Sequence, residues 1–369
     1  MRLGPSLALI IGLASSVQAL ESDQGNLVVT PVMTDLIAPW ALAFLPNGAL
    51  LVTERDGELL LRRSDGTVSA VSGLPDIAAT GQGGLLDVVV ARDFATSREI
   101  FLSYAKPQGR GAGTTLAVAK LSKDGTALEA VREIFELKRG SGGGRHFGSR
   151  IVEAPDGTLF LTIGDRGDRP SAQDRSNQNG TVIRVNRDGT IPDDNPFLGV
   201  KDVAPEIWSY GHRNPQGAAL DANGQLWVNE HGARGGDEIN EVIKGANYGW
   251  PVIAYGRHYS GGKIGEGTVK DGMKQPAHYW DPSIAPSGMM IYSGKLWPDW
   301  AGDHFIGSLK FDYISRVDGD TITEVEQLKS DETTRIRDIR EGPDGAIWFI
   351  SVGEGTVFRV TPEGWSEGR

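Results

Sequence analysis

Cysteine is absent from the 369 residues, which excludes disulfides, thiolate-held zinc, iron–sulfur clusters and covalently attached c-type haem. Long apolar runs are missing as well: beyond the N-terminal stretch, no segment is long enough to span a bilayer. Positive charge is in the minority, with 37 Lys and Arg against 48 Asp and Glu, a formal charge of -11. No basic stripe is visible, so nucleic acid is not an expected partner. There is no EF-hand loop, no HExxH and no P-loop. Gly109, Gly111 and Gly113 form a G-x-G-x-G run, but no βαβ unit surrounds it, as a dinucleotide site requires. Long amphipathic helices are also lacking. What the chain does have is glycine, 50 residues spread along its length, and 39% hydrophobic residues, enough for a substantial core.

The first 19 residues read as a secretory signal. Arg2 supplies a short positive region, Leu7 to Leu13 an apolar one, and Val17-Gln18-Ala19 the small residues of a cleavage site. Cleavage after Ala19 would leave residues 20–369 outside the cytoplasm, in the periplasm of a Gram-negative source. That remainder repeats one hairpin grammar: an apolar strand, an x-[DN]-G turn and a second apolar strand. The turn glycines are Gly48, Gly157, Gly224 and Gly345. Their spacings are multiples of a unit of roughly 55 to 65 residues, which places two degenerate repeats in the long gaps. Gly83 to Val90 with Ile100 to Tyr104 fits one, and Ser287 to Tyr292 with His304 to Leu309 fits the other. Six repeats of short strands predict an all-β fold, a six-bladed β-propeller of four-stranded antiparallel sheets in one domain. Leu27 to Thr30 would pair into the last blade and close the ring.

In such a ring the first strand of each blade is innermost, and its start faces one mouth of the central channel. The starts read Pro39-Trp40, Gln82, His146, Arg213-Asn214, Ser287 and Arg335/Arg337, mostly polar where buried strands want apolar groups. The ends of the second strands add Glu54, Asp165 and Glu230-His231-Gly232. Within the Gly157 hairpin, His146 and Asp165 fall at the same end, the pairing that orients a histidine as a general base. A plainer reading keeps the pair as a channel-lining contact. The glycine-rich run Gly232 to Gly236 offers free carbonyls beside Asp237 and Glu238. Carbonyl and carboxylate oxygens suit calcium, though a plain acidic loop would read the same way.

The runs GGRHFGSR (143–150), GHRNPQG (211–217), EHG with DEIN (230–240), NYGWP (247–251) and RIRD (335–338) occur in one order. Together they resemble the soluble PQQ-dependent aldose sugar dehydrogenases of the glucose/sorbosone type, a six-bladed propeller family, from Leu36 to Arg359. The resemblance implies His146 as catalytic base, Asp165 as the carboxylate beside it, and Arg213 with Asn214 against the quinone. It further implies cofactor contacts from Gln82, from Ser308 and Lys310 in GSLK, and from Arg335 and Arg337. Gly232 and Ala233 carbonyls match those that hold the cofactor-bound calcium, and Glu238 and Tyr248 fall at a nearby structural calcium. Tyr259 and Trp280 match walls of the cofactor or substrate site. Some relatives carry proline where Ala233 stands, which matters little for a backbone ligand.

The expected activity is therefore oxidation of an aldose to its lactone, with PQQ and calcium as cofactors and an external electron acceptor, since no haem motif is present. The residue chemistry agrees, because a tricarboxylated quinone needs local cations and guanidinium–carboxylate pairs are strong. Short, glycine-rich loops between Arg257 and Lys274 imply an open sugar pocket. The alternative is a calcium-dependent propeller lactone hydrolase, which would hold its metal on the channel axis with inward carboxylates. A binding module without chemistry is the third reading, under which His146 and Asp165 have no reason to be paired.

Overall fold

The structure, a computed structural model, describes residues 19–366. The expected signal segment lies outside the described residues, except that the first strand, Ala19–Ser22, begins at the expected cleavage position. Six antiparallel sheets follow one another around a ring. Their innermost strands are Pro39–Phe44, Leu85–Val90, Ile151–Glu153, Pro215–Leu220, Pro286–Ile291 and Ile336–Glu341. Five sheets have four strands. The sixth has five, because Gly25–Met33 pairs with the C-terminal Thr356–Pro362 and Ala19–Ser22 adds an edge strand beyond it. Among the described residues no helix is long and apolar enough to cross a membrane.

The hairpin grammar works through backbone chemistry. Gly48, Gly157, Gly224 and Gly345 have φ of 79°, 84°, 82° and 87°, left-handed values that only glycine adopts without cost. At three of these turns the preceding side chain, Asn47, Asp156 or Asp344, accepts the amide two residues on. In the fourth, Asp221 does that work. Blades two and five lack the glycine turn because they connect their first strands differently. Phe94–Ser97 is a helical turn in blade two, and Pro298–Trp300 does the same in blade five.

Alternating side chains on both faces of each sheet pack against the next blade, so each interface has its own apolar cluster. The axis is different: it is ionic. Arg150 pairs with Asp87 and Asp338 at 3.0 Å each, and Arg340 reaches the same two carboxylates at 2.9 and 3.0 Å. Asp87 also accepts the Ile151 amide at 2.8 Å, and Arg150 donates to the Gln216 carbonyl at 3.0 Å. Asp338 accepts the Leu42 amide at 3.2 Å. Burial pushes Asp87 up against the pull of Arg150 and Arg340. Five of the six inner strands thus share one network of two acids and two arginines.

Removing one member leaves a buried charge uncompensated, which costs about 3–5 kcal/mol. Arg150→Met should therefore lower the denaturant midpoint of unfolding substantially, while a volume-matched change in an exposed loop should not. An unchanged midpoint would mean the ring closes without its axial charges.

Candidate active site

The loops leading into the inner strands, rather than the strands themselves, carry the polar residues. His146 lies five residues before its strand begins at Ile151, with φ of 55°. Its amide donates to Gln82 Oε1 at 2.7 Å, which ties blade three to blade two. Gly164 has to be glycine here, because a Cβ would stand 2.2 Å from the His146 carbonyl. That close approach sets Asp165 opposite the imidazole. Nδ1 of His146 lies 2.6 Å from Asp165 Oδ1. Asp165 Oδ1 also accepts the Gly167 amide at 2.7 Å, and Oδ2 accepts Trp250 Nε1 at 2.8 Å.

Burial pushes Asp165 up, but the bonds from His146, Gly167 and Trp250 outweigh it and hold the carboxylate below its ordinary range. An ionised carboxylate only accepts, so Nδ1 of the neutral ring carries the proton and Nε2 keeps its lone pair. Burial lowers the His146 pKa; Asp165 pulls it back up, and the nearby Arg213 charge lowers it further. The net shift is downward from 6.5, so the ring is neutral and able to take a proton near pH 7.

A cavity of about 770 Å³ opens at this mouth, lined by Gln82, Asn214, Lys310, Arg335 and Arg337 among others. Phe147 and Gly148, the two residues after His146, line it, as does Gln82, which accepts the His146 amide. Among the described residues the three cations have no carboxylate for a close partner: Arg335 donates to the Leu309 carbonyl at 3.2 Å and Arg337 to Gln216 Oε1 at 3.0 Å. Lys310 Nζ rests 4.7 Å over the Phe311 ring. Burial and the charges of Arg150, Arg335 and Arg55 push Arg337 down to about 9. Arginine does not readily give up its proton, so the shift expresses unmet demand for an anion.

Next to it is a cavity of about 20 Å³ lined by Arg213, Glu230, His231, Gly232, Ala233, Glu238 and Tyr248, roughly the room of one water or ion. His231 lines both cavities. Arg213 is buried, donates to the His231 carbonyl at 3.0 Å, and has an Nε without a partner. Glu238 is pushed up to about 8 by burial and by Glu230. Asn240 Nδ2 bridges the two carboxylates at 3.1 and 3.2 Å. No group of three or more acidic, histidine or cysteine side chains able to hold a metal occurs among the described residues, so a cation here would need carbonyl ligands too. The Ala233 carbonyl already accepts the Arg257 amide at 2.8 Å, leaving one lone pair. The Tyr248 hydroxyl is bonded to the Glu241 carbonyl and the Ile243 amide, so only its carbonyl is available.

Some expected residues lie elsewhere. The Ser308 hydroxyl donates to the Ile284 carbonyl at 2.8 Å and accepts the Phe311 amide at 3.0 Å; it shapes the turn that presents Lys310 and does not line the cavity. Trp280 is packed between blades four and five with Nε1 on Glu324, 2.9 Å away, and lines a groove between those blades instead. Ser287 is buried and staples Gly307 to Ile336 through its hydroxyl. Glu54 turns inward to accept the Ile37 amide at 2.6 Å, and its neighbour Arg55 is the one that lines the cavity. Tyr259 is 72% exposed on the rim, within reach of Arg213. Gln216 was legible as part of GHRNPQG, but nothing in the sequence says that it accepts from Arg337.

A family model described as Glucose / Sorbosone dehydrogenase matches residues 36–359. Aldose sugar dehydrogenase YliI of Escherichia coli strain K12 is 45% identical over 333 residues, covering 88% of this chain and 90% of that protein. The crystal structure of the soluble aldose sugar dehydrogenase from Escherichia coli, in the apo-form, matches with a TM-score of 0.88 at 44% identity, over 91% of this chain and all of that one. A PQQ-bound aldose sugar dehydrogenase from Streptomyces coelicolor matches with a TM-score of 0.76 at 25% identity, over 91% and 98% of the two chains.

The electrostatics of the histidine can be measured directly. In labelled protein, the His146 ring should titrate below 6.5. Asp165→Asn removes the group that raises its pKa, so the ring should titrate lower still. A rise in the variant would contradict the balance of causes given above.

Proposed function

The chain belongs to the glucose/sorbosone dehydrogenase family, and from that premise we propose that it oxidises aldose sugars at the anomeric carbon to lactones, with PQQ as cofactor. The observation that carries this is the wall of Lys310, Arg335 and Arg337, cations without carboxylate partners facing a cavity beside a poised histidine. PQQ is a tricarboxylate, and the donor set fits it. When bound it supplies the acceptor for the hydride that leaves the anomeric carbon. The protein's part is to hold and to deprotonate. Lys310, Arg335 and Arg337 would grip carboxylates. Gln82 and Asn214 line the same wall, and Arg213, with its unpartnered Nε, would face an anionic oxygen. Nε2 of His146 takes the proton from the anomeric hydroxyl, and Asp165 steadies the imidazolium that results.

Calcium belongs to the same reading. The Gly232 and Ala233 carbonyls would hold a cofactor-bound calcium, and Glu238 with the Tyr248 carbonyl a nearby structural one; all four residues line the small cavity, and a cation there would relieve the repulsion between the Glu238 and Glu230 carboxyls. Residues 1–19 support export, to the periplasm of a Gram-negative source, and electrons would then pass to a separate acceptor. A lactone hydrolase would need free carboxylates on the axis. Here Asp87 and Asp338 are each engaged by Arg150 and Arg340, which disfavours that alternative.

Protein loaded with PQQ and calcium should reduce a dye when given an aldose. His146→Ala should lower turnover by roughly two to four orders of magnitude with cofactor affinity little changed, and near-normal turnover would remove the histidine from this role. The neutral ring is the active form and its pKa lies below 6.5, so activity should be full near pH 7 and fall as pH drops through that lowered value. An acid limb centred above 6.5 would point to another group.

The metal has its own test. Excess chelator should abolish PQQ-dependent activity and calcium should restore it, while Ala233→Ser, which leaves the carbonyl in place, should keep most of it. Full activity in chelator with no metal bound would dismiss the site.

A further inference from the structure

Arg166, next to the catalytic-loop carboxylate, is 2% exposed. One nitrogen of its guanidinium donates to the Arg145 carbonyl, just before His146. The other donates at 3.0 Å to the Ala112 carbonyl on blade two. The guanidinium carbon stands 3.4 Å over the ring of Phe147, just after His146. A single side chain therefore holds the backbone just before the histidine and the aromatic ring just after it.

The surroundings explain why a clamp is needed. Gly142 to Gly144 precede the histidine and impose no conformation of their own. His146 and Arg166 both take left-handed φ, 55° and 54°, a conformation unfavourable for such residues that persists only where neighbours enforce it. Ser141 Oγ donates to the Arg166 carbonyl at 3.2 Å, so the glycine segment is tied to the same turn. The three residues Asp165, Arg166 and Gly167 reach the His146 segment by a carboxylate, a guanidinium and a left-handed turn. Arg166 reaches these carbonyls as a buried cation without a close carboxylate partner, and burial pushes its pKa down to about 10.

We propose that Arg166 is a positioning residue of the oxidation, fixing the His146 loop so that Nδ1 stays on Asp165 and Nε2 is presented to the substrate hydroxyl. This rests on the reading of His146 as the base. Arg166→Met keeps the stem but removes both carbonyl bonds and the charge over Phe147. Displacing a reacting group by about 1 Å can cost on the order of 100-fold, so turnover of the loaded enzyme should fall about 10- to 100-fold. Sugar KM and PQQ affinity should stay within a few-fold. Arg166→Lys should be intermediate, since one ammonium cannot serve two carbonyls and a ring face together, and it decides the matter if the Met variant does not fold. In apo-protein, the proton shared by His146 and Asp165 should give a protected NMR signal that Arg166→Met loses. In a His146→Ala background, Arg166→Met should cause no further loss of turnover. Near-normal turnover of Arg166→Met with an inactive His146→Ala overturns this inference alone. So does a further loss in the His146→Ala background, or loss of PQQ binding, since Arg166 would then act on the fold or the cofactor. Full turnover of His146→Ala would instead overturn the base assignment itself.

Discussion

Two acids and two arginines on the propeller axis are what the rest of the molecule leans on. Sheets packed around a ring leave a central channel, and the strand faces that meet there cannot all be filled by apolar side chains without closing it. This chain fills it with charge. Asp87 and Asp338 are each ion-paired with Arg150 and Arg340 and accept backbone amides of blades three and one. Bringing four charges out of water is unfavourable by itself, and it is recovered only where geometry is good and the remaining donors and acceptors are satisfied. The network meets that condition nearly throughout, and in doing so it fixes the inner strands of most blades against each other. Arg150 also lies 4.4 Å over the Trp40 ring, which lines the cavity above. The floor of the candidate site and the axle of the ring are the same piece of structure.

The site above inherits that rigidity but uses it for unpaired groups. Below, every acid has an arginine. Above, Lys310, Arg335 and Arg337 face open space with carbonyl, amide and ring partners. Gln216 joins the two levels, with its backbone carbonyl on Arg150 and its side chain on Arg337 and Asn214. A cationic wall in a chain of net charge -11 is a local arrangement: the axial acids are paired with arginines, and Asp312, the acid that lines the cavity, accepts the Arg335 amide. Selectivity for an anion follows from that division of labour.

Much of this was legible in the sequence, and the reasons differ by feature. The blades were legible because glycine at a left-handed turn leaves a mark, with Asn or Asp before it. Blades two and five were harder because a helical turn replaces that mark. The pairing of His146 with Asp165 followed from hairpin geometry alone. Phase was less secure: Glu54 and Arg55 differ by one position, and it is Arg55 that lines the cavity while Glu54 accepts the Ile37 amide. Ser308 and Trp280 sit within recognisable segments, yet their polar atoms go to Ile284 and Glu324. Which hydrogen bonds a buried hydroxyl or indole makes depends on neighbours far apart in the chain. The clamp on His146 was hidden for the same reason, since it joins Arg166 to Arg145, Ala112 and Phe147.

The closing sheet has a consequence in time. Gly25–Met33, among the first strands made, pairs with Thr356–Pro362, the last. A ribosome therefore releases the early strand long before its partner exists, and the ring stays an open arc until the final residues emerge. The cationic wall belongs to the last two blades, and the histidine to the third. The two sides of the cavity therefore face each other only once both late blades are in place, so an anion held between them depends on a nearly complete ring.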